Sequence, residues 1–166
     1  MDKDSRKDTR RILLVLGRLA LAGVFLFAAF AKMKPPPGTP WSANSVKLSL
    51  TLFAFQVDSY QLLSHAAAIT VAKILPPFEM LLGLWLLSGV WLRFSAFCTS
   101  LLLAGFIFAT VSAHMHGLDI DCGCFGPGEH IGPKTFVLDG LLFALAIAVT
   151  VGAFSQAFSR VRSQSI

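Results

Sequence analysis

Residues 12–33 read ILLVLGRLALAGVFLFAAFAKM, an apolar run interrupted only by Arg18, about a third of the way along, and by Lys32 near its end. A helix of this length reaches the ~20 residues that are needed to cross a hydrocarbon core of ~30 Å. Three further apolar runs of similar length follow: roughly Leu62 to Val90, Leu92 to His114 and Phe136 to Phe158. Because backbone polar groups inside a bilayer must be satisfied within the segment, we expect all four runs to be helices.

The composition agrees with a membrane protein. Of the 166 residues, 55% are hydrophobic and 14% are charged, whereas about 25% of the residues in a typical soluble domain are charged. We therefore predict an all-α membrane protein with the lipid bilayer as its solvent. Its fold would be a four-transmembrane-helix bundle in a single domain over residues 12–158, with a basic tail at residues 1–11 and a second tail at residues 159–166.

The positive charges predict an orientation. They concentrate in the N-terminal tail, at Arg93 between the second and third apolar runs, and at Arg160 and Arg162. The positive-inside rule places such residues in the cytoplasm, so we expect a multi-pass protein of a bacterial inner (plasma) membrane with both termini cytoplasmic. The loops around residues 34–61 and 115–135 would then lie outside. Because the basic residues are dispersed rather than interleaved with aromatic residues, no nucleic-acid partner is predicted.

The first of these outer loops contains a further element. Lys34-Pro35-Pro36-Pro37-Gly38 ends the first helix, since proline cannot continue it. Beyond it, five residues fall on one helical face: Val46, Leu50, Phe53, Val57 and Tyr60. This spacing predicts an interfacial amphipathic segment, a helix at the outer membrane surface between helices one and two. The alternation of Val46, Leu48, Leu50 and Leu52 also permits a strand.

A carboxylate lies deep in the second apolar run. Glu79 is about 16 Å from the cytoplasmic end of its helix, and an ionisable group at this depth is costly unless it is paired or protonated. Arg18 enters the first helix from the same side, so we predict an intramembrane Arg18–Glu79 pair, with Lys73 as the other candidate. Asp139 could pair with Lys73 or Lys32. Such pairs either hold the bundle together or serve a proton or quinone reaction.

The second outer loop contains Cys122-Gly123-Cys124-Phe125-Gly126. Two cysteines separated by one glycine are a candidate thiol–disulfide pair, because glycine takes backbone angles that let neighbouring sulfur atoms approach. Their disulfide would close a very small ring, and a strained disulfide is readily reduced, which suits exchange. Cys122 and Cys124 are therefore the candidate redox pair, and His116 is a candidate stabiliser of the thiolate.

Two other roles for this loop stay open. A static disulfide would only shape a docking surface. The loop also contains six side chains that could bind a soft or borderline metal: His114, Met115, His116, Cys122, Cys124 and His130. Thiolates and imidazoles together suit zinc or copper, although a Cys-x-Cys spacing is not the usual zinc spacing.

The order of these marks resembles the methylamine-utilisation protein MauE, within the wider MauE/DoxX group of small four-helix membrane proteins. The marks are Arg18, Lys32, Tyr60, Leu75-Pro76-Pro77-Phe78-Glu79, Gly83, Gly89, Arg93, Gly117, the Cys122–Gly126 segment and Asp139. One position differs: before Gly117 this chain has His116, whereas we expect an arginine there in relatives. The resemblance implies a redox-associated membrane protein that acts in the maturation of a periplasmic, disulfide-rich subunit beside a thioredoxin-like partner, and DoxX relatives imply a link to quinones.

Together the residues and the resemblance lead to two functional hypotheses. The first is thiol–disulfide exchange through the Cys-Gly-Cys loop, in which one cysteine attacks a partner disulfide and the other resolves the mixed disulfide. Its partner would be an exported protein, thioredoxin-like or disulfide-containing, and a quinone is a candidate cofactor. The second is a non-enzymatic structural or assembly subunit of a larger membrane complex. Whether the protein is an enzyme stays open at this level.

Overall fold

The computed structural model describes residues 3–118, 120–123 and 132–164, with side chains for residues 8–118, 120–123 and 132–155. These residues form five helices: α1 Lys3–Met33, α2 Ala43–Ser59, α3 His65–Ser88, α4 Leu92–Met115 and α5 Pro133–Gln164. No β-strand occurs in these ranges. The predicted all-α fold is confirmed, and the segment between the first two long helices is a helix rather than a strand.

Four of the helices are long and apolar enough to cross a bilayer. Their candidate spans are Asp8–Met33, His65–Ser88, Leu92–Met115 and Pro133–Ser155, which match the four apolar runs. Only about a third of each span is buried inside the protein. Apolar side chains such as Leu13 and Phe108 are more than half exposed. So much exposed apolar surface would be unfavourable in water, and it is the surface that lipid covers.

The long helices run in alternating directions. Between α4 and α5, Ser100 lies 3.1 Å from Thr150 through their hydroxyl oxygens, and His114 contacts Phe136. Between α1 and α5, Gly17 packs against Leu145, and Leu14 packs against Gly152. In each pair the residue numbers rise along one helix as they fall along the other, so the two helices are antiparallel. One end of the bundle, called the loop end below, is where α1 and α4 finish and where α3 and α5 begin. The other end, called the tail end, carries the start of α1 and the turn from α3 to α4.

Helices α1 and α3 form a close interface. Gly83 of α3 lies so close to α1 that a Cβ atom there would be 2.8 Å from Leu26 Cγ and 3.3 Å from the Ala22 carbonyl oxygen. Small residues at such a crossing let two helix backbones approach, which replaces the missing hydrophobic drive between helices in lipid. The surrounding core is apolar and contains Leu21, Ala22, Phe25, Leu82, Leu86, Ala96, Leu103, Ala146 and Val149.

Helix α2 packs on α3 with the face that its sequence predicted. Every residue of that face is buried or half-buried: Val46, Leu50, Phe53, Val57 and Tyr60. The helix begins with a capping box in which Ser42 and Ser45 each bond to the other's backbone N–H. One turn on, the buried Ser49 hydroxyl donates to the Lys34 carbonyl oxygen at 2.8 Å. The Ser49 contact attaches α2 to the segment that leaves α1.

The close approach at Gly83 generates a first test. A methyl group at Gly83 must displace α1, whereas one at the lipid-facing Gly23 meets nothing within 4 Å. Gly83→Ala is therefore expected to lower the free energy of unfolding by about 1–3 kcal/mol relative to Gly23→Ala. Both substitutions make the same gain in helix propensity, so it cancels in the comparison. Denaturation by SDS titration in mixed micelles measures the difference, and equal stabilities would contradict the α1–α3 packing.

Candidate functional site

A buried ion pair joins α1 to α3. Lys32 Nζ donates a hydrogen bond of 3.0 Å to Glu79 Oε1 and lies 3.0 Å from Glu79 Oε2. The two side chains are 2% and 1% exposed. The ammonium group also lies 5.5 Å from the centre of the Phe53 ring and 5.7 Å from that of Phe106, within the range of a cation–π attraction. The pair therefore has both charge and aromatic neighbours to offset the cost of its burial.

The predicted partner of Glu79 was wrong: the structure pairs Glu79 with Lys32 rather than with Arg18. The Arg18 guanidinium lies instead against Gly89 at the C-terminal end of α3. Gly89 is ten residues beyond Glu79, a helical rise of about 15 Å, which an arginine side chain does not bridge. Lys73, the other candidate, is exposed.

The direction of side chains in a helix explains why Lys32 reaches Glu79. Side chains of an α-helix lean towards its N-terminus, and for α1 that direction leads from the loop end into the membrane. Lys32 lies in the last turn of α1, so its side chain extends back to the depth of Glu79. The sequence shows that Lys32 lies at the end of its helix. The pairing of Lys32 with Glu79 can be inferred from that position only when the register of α1 against α3 is known.

A third ionisable residue lies beside the pair. Asp139 of α5 is 5% exposed, and it lines a cavity of about 30 Å³ together with Lys32 and Glu79. Three helices thus bring ionisable side chains to one place in the interior. The sequence pattern places each of these residues in a helix, but their convergence comes from the packing of the three helices.

The Cys-Gly-Cys segment begins on the surface of α2. Tyr60 Oη donates a hydrogen bond of 2.7 Å to the Cys122 carbonyl oxygen, and Cys122 is only 5% exposed. Gly123 has φ +67°, and a Cβ atom there would lie 3.2 Å from Gln56 Oε1. Glycine is required at this position both for the left-handed backbone and for the close approach. Cys124, the second residue of the predicted pair, lies outside the described residues.

Two histidines of the predicted metal set, His114 and His116, each contact a neighbouring residue of the bundle. His116 Nδ1 donates to the Ser112 carbonyl oxygen at 2.7 Å, and His114 contacts the Phe136 ring edge-to-face at 5.3 Å between ring centres. Within the described ranges, no three His, Cys, Asp or Glu side chains form a group that could hold a metal ion. Cys124 and His130 lie outside those ranges, so the metal alternative and the role of His116 stay predictions.

A large cavity connects the ion pair to the Cys122 segment. Its volume is about 720 Å³, and it lies between α2, α3 and α4. Lys32 lines its wall, as do Tyr60, Cys122 and Gly123. Cys98 of α4 also lines it and is half-buried. The remaining lining residues are mainly aliphatic and aromatic. The sequence alone does not reveal this cavity, because its walls come from five separate segments.

A double-mutant cycle tests the ion pair. Lys32→Met and Glu79→Met each leave one buried charge without this partner, and each is expected to cost about 3–5 kcal/mol of stability. The double variant should cost less than the sum, because it removes both charges together. Arg18→Met provides the control, and its effect should add to that of Glu79→Met within about 0.5 kcal/mol. Additivity of Lys32→Met with Glu79→Met in SDS titrations would contradict the pairing.

Comparison with known proteins supplies the family. A family model described as methylamine utilisation protein MauE matches residues 10–152. No curated protein matches the chain, and no solved structure does so. The matched range contains the ion pair, the cavity and the Cys122 segment, and it covers most of α1 and α5. Since the match spans well over half of the chain and the fold has four potential membrane helices, the protein is a multi-pass membrane protein of the MauE family.

Proposed function

We propose that this MauE-family protein exchanges thiols and disulfides with an exported, disulfide-containing protein through Cys122 and Cys124, in support of that partner's maturation. The observation that carries the proposal is the hydrogen bond from Tyr60 to the Cys122 carbonyl oxygen. It holds the first cysteine of the pair against α2 at the loop end of the bundle. Exchange needs its sulfur atoms held in a defined place, because a thiolate attacks a disulfide along the sulfur–sulfur axis.

The burial of Cys122 assigns the two cysteines different roles in this proposal. A protein partner cannot approach a side chain that is 5% exposed. Cys124 therefore forms the mixed disulfide with the partner, and Cys122 resolves it. In the resolving step the Cys122 thiolate attacks Cys124 Sγ, the Cys122–Cys124 bond forms, and the partner leaves with its thiol. The step runs in reverse when a partner thiolate attacks the Cys122–Cys124 disulfide.

The same burial also favours a second candidate function, a structural or assembly subunit whose Cys122 segment shapes a docking loop. In that case the contacts of Tyr60 and Gln56 with the segment serve only to hold the loop in place. Such a protein needs the shape of the loop but not its thiol chemistry. The two functions therefore differ in what cysteine variants do.

Whether a cysteine variant retains the partner in a mixed disulfide distinguishes the exchange function from the docking function. Cys122→Ser removes the resolving thiol, so the partner should stay attached to Cys124 and run as a heavier, reductant-sensitive band on a non-reducing gel. Cys124→Ser is the matched control and should trap nothing, although it loses the same function. If neither variant traps a partner in cells that need the protein, and a Cys122→Ala/Cys124→Ala variant still functions, the docking function replaces exchange.

The proposal places the loop end outside a bacterial inner membrane and the tail end in the cytoplasm, on the basis of the basic tails. Thr39 is exposed at the loop end and Ser88 at the tail end. In a background without the native cysteines, a membrane-impermeant maleimide should label Thr39→Cys in intact spheroplasts. It should label Ser88→Cys only after lysis. The opposite pattern would reverse the orientation and place the redox loop in the cytoplasm.

A further inference from the structure

We infer that the 720 Å³ cavity between α2, α3 and α4 binds one acyl chain of a membrane phospholipid from the leaflet at the loop end. The volume lies within the ~300–1,000 Å³ that small-molecule sites occupy. This binding site goes beyond the exchange function that we propose for the cysteines, and its occupancy can be measured without thiol chemistry.

The cavity is a gap that the helices themselves do not fill. Helix α2 packs on α1 and α3, and α4 packs on α3 and α5. Within the described ranges the backbones of α2 and α4 do not approach each other, although both helices line the cavity. Protein interiors are close-packed, and voids larger than a water molecule are few. A gap of this size therefore indicates an occupant.

The polar side chains of the lining are already bonded within the protein. The Lys32 ammonium group is paired with Glu79, and the Tyr60 hydroxyl donates to the Cys122 carbonyl oxygen. Apart from two cysteines and two glycines, all other lining residues are aliphatic or aromatic. Apolar cavities stay dry, and a headgroup or ion would lose its hydration here without a replacement. The occupant is therefore a hydrocarbon.

The cavity opens to the bilayer along α4. Leu101 and Phe108 line it, they are 64% and 68% exposed, and both lie within a candidate membrane span. Side chains that are exposed within such a span face lipid chains rather than water. A lipid chain therefore reaches the cavity directly from the bilayer.

The length of the cavity matches the acyl chains of one leaflet. Along α4 the lining runs from Ala109 to Cys98, a helical rise of about 16 Å. One leaflet contributes about 15 Å, which is half of a hydrocarbon core of ~30 Å. Along α3 the lining ends at Phe78, about 20 Å from the start of the helix at the loop end. The chain therefore comes from the loop-end leaflet, with its headgroup at that surface.

A transmembrane helix of another protein is too wide to lie inside the cavity. An α-helix with its side chains is about 10–12 Å across, so a length of about 16 Å fills at least about 1,200 Å³. The cavity offers 720 Å³. An acyl chain is a single file of methylene groups, so it fits a space that is long and narrow.

Lipid retention by the full-length protein tests the site. The protein is purified in detergent, mixed with dioleoyl-phosphatidylglycerol and analysed by native mass spectrometry over a series of lipid concentrations. We expect one phospholipid to stay bound under conditions that strip the other lipids from the surface. If the wild type retains no phospholipid, or retains instead an isoprenoid or a second copy of the chain, the inference is overturned.

Two variants that fill the cavity locate the bound lipid. Gly105 and Ala109 of α4 both line the cavity. Gly105→Leu and Ala109→Phe should each raise the dissociation constant of the retained lipid at least about tenfold, because a steric conflict in an apolar pocket has an effect of this size. Gly23→Leu is the control, because a Cβ atom at this lipid-facing position of α1 meets nothing within 4 Å. Equal dissociation constants for the three variants, at wild-type helix content by circular dichroism, would overturn the inference.

A series of lipids on the wild type distinguishes the chain from the headgroup and needs no variant. Didecanoyl-phosphatidylglycerol buries fewer methylene groups and should bind at least about tenfold more weakly than the dioleoyl lipid. Dioleoyl-phosphatidylcholine keeps the chains and changes the headgroup, so it should bind as tightly as dioleoyl-phosphatidylglycerol. If affinity follows the headgroup and not the chain length, the lipid is held at the membrane surface and the cavity does not bind an acyl chain.

Discussion

The arrangement of the site depends on the contact between α1 and α3, and the ion pair between Lys32 and Glu79 lies in that contact. It joins α1 to α3 in an interior where neither charge has bulk water, so breaking it leaves a charge that is costly to bury. The Gly83 contact brings the same two helices close together. With α1 and α3 held in this register, the Lys32 ammonium group lies between Phe53 of α2 and Phe106 of α4.

That placement connects the interior of the bundle to its loop end. Helix α2 packs on α3 through Phe53 and Ala54, and its last turn leads to Tyr60, which holds the Cys122 segment. The cavity lies between these elements and includes both Lys32 and Cys122 in its lining. A charged group in the membrane interior and a thiol at the loop end therefore share one apolar space.

The sequence predicted several features correctly for simple physical reasons. The four membrane helices follow from the length of the apolar runs, since nothing but a helix satisfies the backbone in lipid. The buried face of α2 follows from its 3.6-residue period, and the deep location of Glu79 follows from counting residues along α3. Counting residues could not identify the partner of Glu79. Arg18 lies in the middle of α1 and Lys32 in its last turn, and only the register against α3 distinguishes them as partners of Glu79.

The sequence by itself determined the helices, the family resemblance and the candidate residues, because hydropathy, periodicity and local motifs are properties of short stretches of chain. The tertiary structure alone decided which of those residues meet. Lys32 with Glu79, Tyr60 with Cys122, and the cavity that Lys32 and Cys122 share are contacts between segments that are far apart in sequence. Such contacts depend on helix register and on the direction of side chains across an interface, and neither is encoded in the spacing of any one helix.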